Sequence, residues 1–460
     1  MIRLLLCLPI LLLVACNSGP KECQNIFLAG EIVNPTSSHV VLYRDDMVID
    51  SAKLDQHHHF TFNLEGAEEG LYHFDHSPEL QYIYLKEGDS ILIRLNTLEF
   101  DESLVFSGEG SEINNFLIEM FLIQEDEEPL IGSYYHLQPK EFSHKIDSLH
   151  ALKVEHLNEV LEESSFSDRV LAMAKASIDY SSYIYKEKYP FYHKKKTGEE
   201  TIHVLEEDFY NYRSDIDLNN LELSYFRPYY DFMKYHLGNL SYMACMKNCE
   251  MDEVAEIDRL HFNKHKLKLV DSLVKETQIR DMLFRNIAMD YLLREHRSDA
   301  ACETFVKQFE ALSTNEEHKS EIKMLYNGIL NLQPNSEVPD IQILNVENHP
   351  TALKDISKDK NTVFYFWTAS QKRHMRKVLG HVANLEKKHP NHQFIGISLK
   401  TGHPQWLNIL EEYSLDASKQ FRGENFKEVQ TAMIVDGLNK CVIAKDTLIV
   451  DAFANLYKSF

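Results

Sequence analysis

Residues 363–367 (VFYFW) limit what this chain can become more than any other stretch. Five consecutive β-branched or aromatic residues leave no polar face, so as a strand the run must be covered on both sides, as in a parallel sheet flanked by helices. A helix is predicted directly behind it over residues 371–388. Met375, Val378, Leu379, Val382 and Leu385 fall at i, i+3, i+4, i+7 and i+10, one face of a 3.6-residue period. Around this pair the pattern predicts strands at 339–346 and 394–398, a short connection at 351–356 and a helix at 406–413. A hairpin of 431–435 with 441–444 is expected to turn at Asp436-Gly437, and 448–457 to close the chain as a helix. The order is βαβ followed by ββα, with the 362 and 394 strands parallel through a right-handed crossover.

The corner itself, residues 364–375, reads FYFWTASQKRHM. In thioredoxin-like proteins of the TlpA type the same corner reads F-W-A-x-W-C-x-x-C. Setting Phe366-Trp367 on that F-W places Gln371 and His374 where the two cysteines stand. Residues 336–460 therefore resemble a TlpA-like thioredoxin-fold domain of the kind found in Bacteroidota lipoproteins, with a degenerate site. The resemblance also implies a cis-proline in V-P-T-x-F-x-I-D, and against Val429-Gln430-Thr431 it puts Gln430 at that position. Thiol exchange needs a thiolate at a helix N-terminus and a second thiol to resolve the mixed disulfide. Neither Gln371 nor His374 supplies one, and a cis bond without proline costs about 3 kcal/mol. A redox-inactive binding or scaffold module is the expectation. The alternatives are an oxidoreductase using other cysteines and a histidine-based metal-binding lipoprotein.

The rest of the chain changes periodicity twice, which gives an α+β multidomain fold class. Residues 26–110 alternate with period two between turns such as Lys86-Glu87-Gly88-Asp89, predicting an antiparallel β-sandwich-like domain. This stretch resembles the β-domain at the front of many Bacteroidota thioredoxin-like lipoproteins. Residues 111–335 read as helical without a fixed repeat, with Leu171, Ala174, Ile178, Ser181 and Tyr185 on one face. Pro228 suits the first turn of a helix that Gly238 is placed to end.

Residues 1–16 carry one Arg and an apolar run of 4–14, too short for a bilayer span of about 20 residues. They end Leu13-Val14-Ala15-Cys16, which resembles a bacterial lipobox whose cysteine is acylated; 17–25 would be a tether. Asn17 in place of Asp favours the outer membrane, facing periplasm or cell surface. The formal charge of -23 repels phosphate backbones, so nucleic acid is not an expected partner, whereas an envelope protein or peptide is.

No phosphate-binding glycine loop, nucleophile elbow or zinc-protease helix is present, and no cofactor is expected. The dense cations Lys372, Arg373, His374, Arg376 and Lys377 at the predicted helix start are a candidate dock for an anion or acidic peptide. His57 and His59, with His73 and Asp75 if that strand pairs beside them, are a candidate metal site, against a polar turn. Residues 215–226 echo a calcium loop, but Asn220 and Phe226 stand where Gly and Glu are required. Cys245 and Cys249 at i, i+4 put two soft donors on one helix face. No pair with zinc-finger spacing is read after them, so no metal is expected there.

Cys16→Ala is expected to move the protein from the membrane fraction to the soluble fraction. A variant still cleaved at the same place and still membrane-bound would refute the anchor.

Overall fold

The computed structural model describes residues 25–77, 79–202, 205–249 and 258–460. Cys16 and Cys23 lie outside them. The chain divides into two compact units, one comprising residues up to 216 with 222–236, the other 217–221 with 237–460.

The first unit begins with strands β1 (Ile26–Val33), β2 (His39–Arg44), β3 (Met47–Lys53), β4 (His59–Leu64), β5 (Gly70–His76), β6 (Glu79–Leu85) and β7 (Ser90–Asn96). A single helical turn α1 (Phe100–Ser103) precedes β8 (Val105–Glu109). Two four-stranded sheets result, ordered β4-β1-β7-β8 and β3-β2-β5-β6. Alternation explains their shared core: along β4, Phe60, Phe62 and Leu64 are buried while His59, Thr61 and Asn63 are exposed. Each fully buried large side chain contributes about 1.5–3 kcal/mol. One pairing departs from the antiparallel expectation, because β1 and β7 run parallel. Between them the chain places β2 and β3 in the second sheet, β4 in the first, and β5 and β6 in the second before β7 returns beside β1, and parallel neighbours need such a crossover.

Helices α2 (Ser111–Tyr134), α3 (Pro139–Glu163) and α4 (Asp168–Thr197) follow, then a 3-10 segment (Glu207–Asp215) and α5 (Arg227–Asn248). Gly110, at φ 90°, starts α2 in a left-handed conformation that glycine adopts without strain. Buried Asn114 then ties α2 to β6: its Oδ1 accepts from Tyr84 N at 2.7 Å and its Nδ2 donates to Tyr84 O at 2.9 Å. Pro228 lies in the first turn of α5 as expected, but Gly238 does not end the helix. Tyr242 and Cys245 continue the buried face for another two turns, and packing overrides the weak helix propensity of one glycine.

At the centre of this unit is Glu187 of α4, fully buried. Its Oε1 accepts from Arg213 Nε (2.9 Å), Tyr212 OH (2.8 Å) and His236 Nδ1 (2.7 Å), and its Oε2 from Arg213 Nη2 (2.5 Å). Burial pushes the carboxyl up, but the hydrogen bonds from His236 and Arg213 outweigh it and hold Glu187 below its ordinary 4.5.

The second unit holds the last turns of α5, then α6 (Arg259–Leu273), α7 (Thr277–Glu295), α8 (Ala300–Leu312) and α9 (Glu316–Asn331). Side-chain caps start three of them: Asp258 for α6, Asp299 for α8 and Asn315 for α9. The remaining elements are β9 (Gln342–Leu344), β10 (Pro350–Ala352), α10 (Leu353–Ser357), β11 (Asn361–Trp367), α11 (Lys372–Lys388), β12 (His392–Ser398), α12 (His403–Glu412), β13 (Gln420–Arg422), α13 (Phe426–Met433), β14 (Lys440–Lys445) and β15 (Leu448–Asn455). They form a seven-stranded sheet ordered β10-β9-β13-β12-β11-β14-β15, in which β11 and β12 are parallel and β14 is antiparallel to β11.

Two expectations at the end of the chain are corrected. Residues 431–435 are not a strand: 426–433 form α13, started by Asn425, whose Oδ1 accepts from Glu428 N at 3.2 Å, and burying Val429 and Met433 at i, i+4. Residues 448–457 are not a helix: Ile449, Ala452, Ala454 and Leu456 point inward with near-alternation across a bulge, and β15 pairs with β14. The hairpin therefore turns at Asp446, whose φ is 57°, instead of at Asp436-Gly437.

Glu187→Gln is expected to destabilise the first unit by about 3 kcal/mol, because it removes the charge that compensates Arg213. A depressed carboxyl contributes stability that is present above pH 4.5 and is lost as pH falls through its folded value. The gap between wild type and variant in chemical denaturation should therefore narrow below that pH. A gap independent of pH would contradict the assignment.

Candidate functional site

The corner that follows β11 is held by its own backbone and by a polar knot beneath it. Trp367 O accepts from Leu399 N at 2.8 Å, and Ala369 N donates to Thr401 Oγ1 at 3.2 Å. Under these, Gln420 joins two buried aromatics, donating from Nε2 to Tyr365 OH (2.9 Å) and accepting at Oε1 from Trp367 Nε1 (3.3 Å). Gly396 leaves room for the knot, since a Cβ there would sit 2.2 Å from Gln420 Oε1. Met375, Val378, Leu379, Val382 and Leu385 of α11 are all buried, the face their spacing predicts.

Gln371 caps α11 without a side-chain hydrogen bond, and the first turn contains no acidic residue. Its N–H groups and the positive end of its dipole are left to solvent or a ligand. Lys372, Arg373, Arg376 and Lys377 are exposed and His374 is half-buried. Arg376 Nε donates to Tyr413 OH at 3.2 Å, and the Lys377 ammonium lies 5.0 Å from the Tyr457 ring centroid. Among the described residues, Lys372 and Arg373 make no ion pair.

His374 faces a different segment from the one the sequence suggested. Its Nε2 is 3.0 Å from Asn439 Oδ1, immediately before β14, while its Nδ1 is buried without a hydrogen-bond partner. Gln430 is corrected accordingly: it is an exposed residue inside α13, donating through Nε2 to Val435 O at 3.4 Å. The residue before the strand antiparallel to β11 is Asn439, so the segment beside the corner is Leu438-Asn439. The missed signal is Asn425-x-x-Glu428, a capping pattern that announces α13.

Among the described residues, no thiol stands at the corner. Cys441 is buried in β14 opposite Tyr365, and burial pushes its thiol up to about 12. It is a small apolar core residue there.

The histidine candidates do not converge. His57 and His59 are exposed around a turn, with ring centroids 6.1 Å apart, and Asp55 Oδ1 accepts from both of their backbone N–H groups at 2.8 Å. His73 and Asp75 lie on β5 in the other sheet, where β5 pairs with β2 and β6 and never with β4. His73 is stacked 5.0 Å from Tyr43. His57 and His59 are accounted for by their turn. A cavity of about 350 Å³ in the first unit is lined by Tyr82, Tyr180, Lys188, Arg227, Asp231 and Lys234. Asp231 is already paired there with Lys234 (2.5 Å) and Arg227 (3.5 Å).

No family model matches the chain, and no curated protein matches it. Among solved structures, a putative thiol-disulfide oxidoreductase from Bacteroides vulgatus is similar at 21% identity and TM-score 0.25, over 28% of this chain and 92% of that one. A thiol:disulfide interchange protein from Bacteroides sp. is similar at 21% and 0.23, over 26% and 81%. A domain of a possible thiol-disulfide isomerase from Cytophaga hutchinsonii is similar at 12% and 0.25, over 27% and 87%. The likeness is confined to about a quarter of the chain. The thioredoxin-like fold of the C-terminal region rests on its strand order and connectivity: parallel β11 and β12 joined through α11, with the antiparallel β14–β15 hairpin on the other side of β11.

Cys441 is expected to resist alkylation in the native protein at pH 8 and to react only on denaturation. Prompt native labelling at this residue would contradict its burial.

Proposed function

We propose that this protein is an envelope lipoprotein, anchored through Cys16, whose thioredoxin-like domain binds a protein or peptide and performs no thiol exchange. The single observation that carries this reading is the corner at 368–374. It keeps the exposed helix start on a rigid support but presents Gln371 and His374 and no thiol. A dithiol reaction requires a thiolate at such a helix end, and the domain's cysteine is buried and protonated at neutral pH.

In place of the thiols stand exposed cations, of which Lys372 and Arg373 make no ion pair among the described residues. Arg373 suits a carboxylate, since its planar fork donates two parallel N–H groups to the two oxygens, and Lys372 adds charge beside it. The adjoining Leu438-Asn439 segment gives an extended partner a part-apolar edge. The ligand class that fits is an acidic peptide segment or other carboxylate-bearing chain of an envelope partner. No helix of the described residues is long and apolar enough to cross a membrane, so membrane attachment in this reading falls to the lipid.

The test is affinity capture of the lipidated protein from its own envelope, with wild type beside a Lys372→Glu, Arg373→Glu variant. Partner recovery should fall about tenfold or more in the variant, and wild-type binding should weaken with salt. Recovery and salt response unchanged in the variant would show the basic group to be ordinary surface. Insulin reduction by the wild type that is lost in Cys441→Ser would replace the binding reading with an oxidoreductase.

A further inference from the structure

The end of α5 and the middle of α6 bring two thiols and an imidazole together inside the second unit. Cys245 is 2% exposed, and Cys249 and His265 are half-buried. Helical spacing persists to Cys249, whose N–H donates to Cys245 O at 2.9 Å, so both sulfurs lie on one face. The ligand atoms of Cys245, Cys249 and His265 are all within 4.8 Å of one another. His265 Nδ1 is buried and has no hydrogen-bond partner. One turn earlier on the same face of α6 stands His261, exposed, its ring centroid 6.0 Å from that of His265.

The linear pattern is C-x3-C-x11-H-x3-H, so the pair expected to be missing after Cys249 is present. It was obscured because the two histidines sit in a lysine-rich stretch, His261-Phe-Asn-Lys-His265-Lys-Leu-Lys, that reads as solvated helix surface.

We propose that Cys245, Cys249 and His265, with His261 as fourth ligand, form a zinc site that clips the end of α5 to α6. Two sulfurs and imidazole nitrogen select a borderline-soft ion over calcium or magnesium. A tetrahedral zinc with bonds of about 2.3 Å to sulfur and 2.0–2.1 Å to nitrogen sets donor separations of about 3.5–3.8 Å. The observed trio needs to contract by only about an ångström to meet them. His261 reaches the fourth position by rotating an exposed side chain. Zinc takes cysteine as thiolate, so binding releases thiol protons to solvent and is weaker at lower pH. The site is independent of what the thioredoxin-like corner binds.

The full chain, purified under reduction and stripped of metal, is titrated with Zn²⁺ against a chromophoric chelator, and with Co²⁺ for its thiolate charge-transfer band. One equivalent should bind, give that band and raise the melting temperature. Cys249→Ser and His265→Ala should each weaken zinc about 100-fold or more and, for the cysteine, diminish the band. His261→Ala should weaken it less, and Cys302→Ser and Cys441→Ser should leave it unchanged. Circular dichroism identifies any variant that fails to fold, in which case the charge-transfer band of the wild type decides alone. Absence of that band, binding retained in Cys249→Ser, or a Cys245–Cys249 disulfide in protein isolated from the envelope would overturn the proposal.

Discussion

A strand with no polar face has to be covered twice, and the C-terminal region is organised to do it. β11 is buried at every position from Thr362 to Trp367. Val363, Tyr365 and Trp367 join the apolar face of α11 and Trp406 in one core cluster. Its backbone is satisfied on both edges, by β12 in parallel and β14 in antiparallel. Because α11 must turn back over the strand that precedes it, residues 368–374 are pinned at the carboxyl end of the parallel strands. Open α/β sheets place their ligands at that end.

The support under that corner is independent of the chemistry above it. The Gln420–Tyr365–Trp367 knot and the close approach at Gly396 satisfy buried polar atoms and define the floor whether or not a thiol stands at 371 or 374. A fold does not by itself fix the chemistry it carries. At the surface stand a helix start without a side-chain cap and the cations Lys372 and Arg373, which make no ion pair among the described residues.

Elsewhere the protein treats buried polar groups in two ways. Glu187 and Asn114 are satisfied within the chain, one by hydrogen bonds from Tyr212, Arg213 and His236 and the other by both backbone groups of Tyr84. These contacts fix helices against one another and against the β-domain of the first unit. The Cys245, Cys249 and His265 group is not satisfied in this way, since a ring nitrogen is left buried without a partner. A bound cation is the simplest group that completes it.

Sequence alone determined the elements whose burial is periodic over many residues. The two-sided strand β11, the face of α11, the alternating strands 26–109 and the helical stretch behind them were legible because local spacing and final burial agree. Tertiary structure decided whatever depends on which segments meet. Residues 448–455 became a strand because β14 offered an edge to pair with, and 426–433 became a helix because Val429 and Met433 found a core. Gln430 therefore lost the position opposite the corner to Asn439. The parallel pairing of β1 with β7, the separation of His73 from His57 and His59, and the meeting of Cys245 and Cys249 with His265 were decided the same way. Each is a contact between residues distant along the chain or on separate elements, and no local periodicity encodes which partner a face will find.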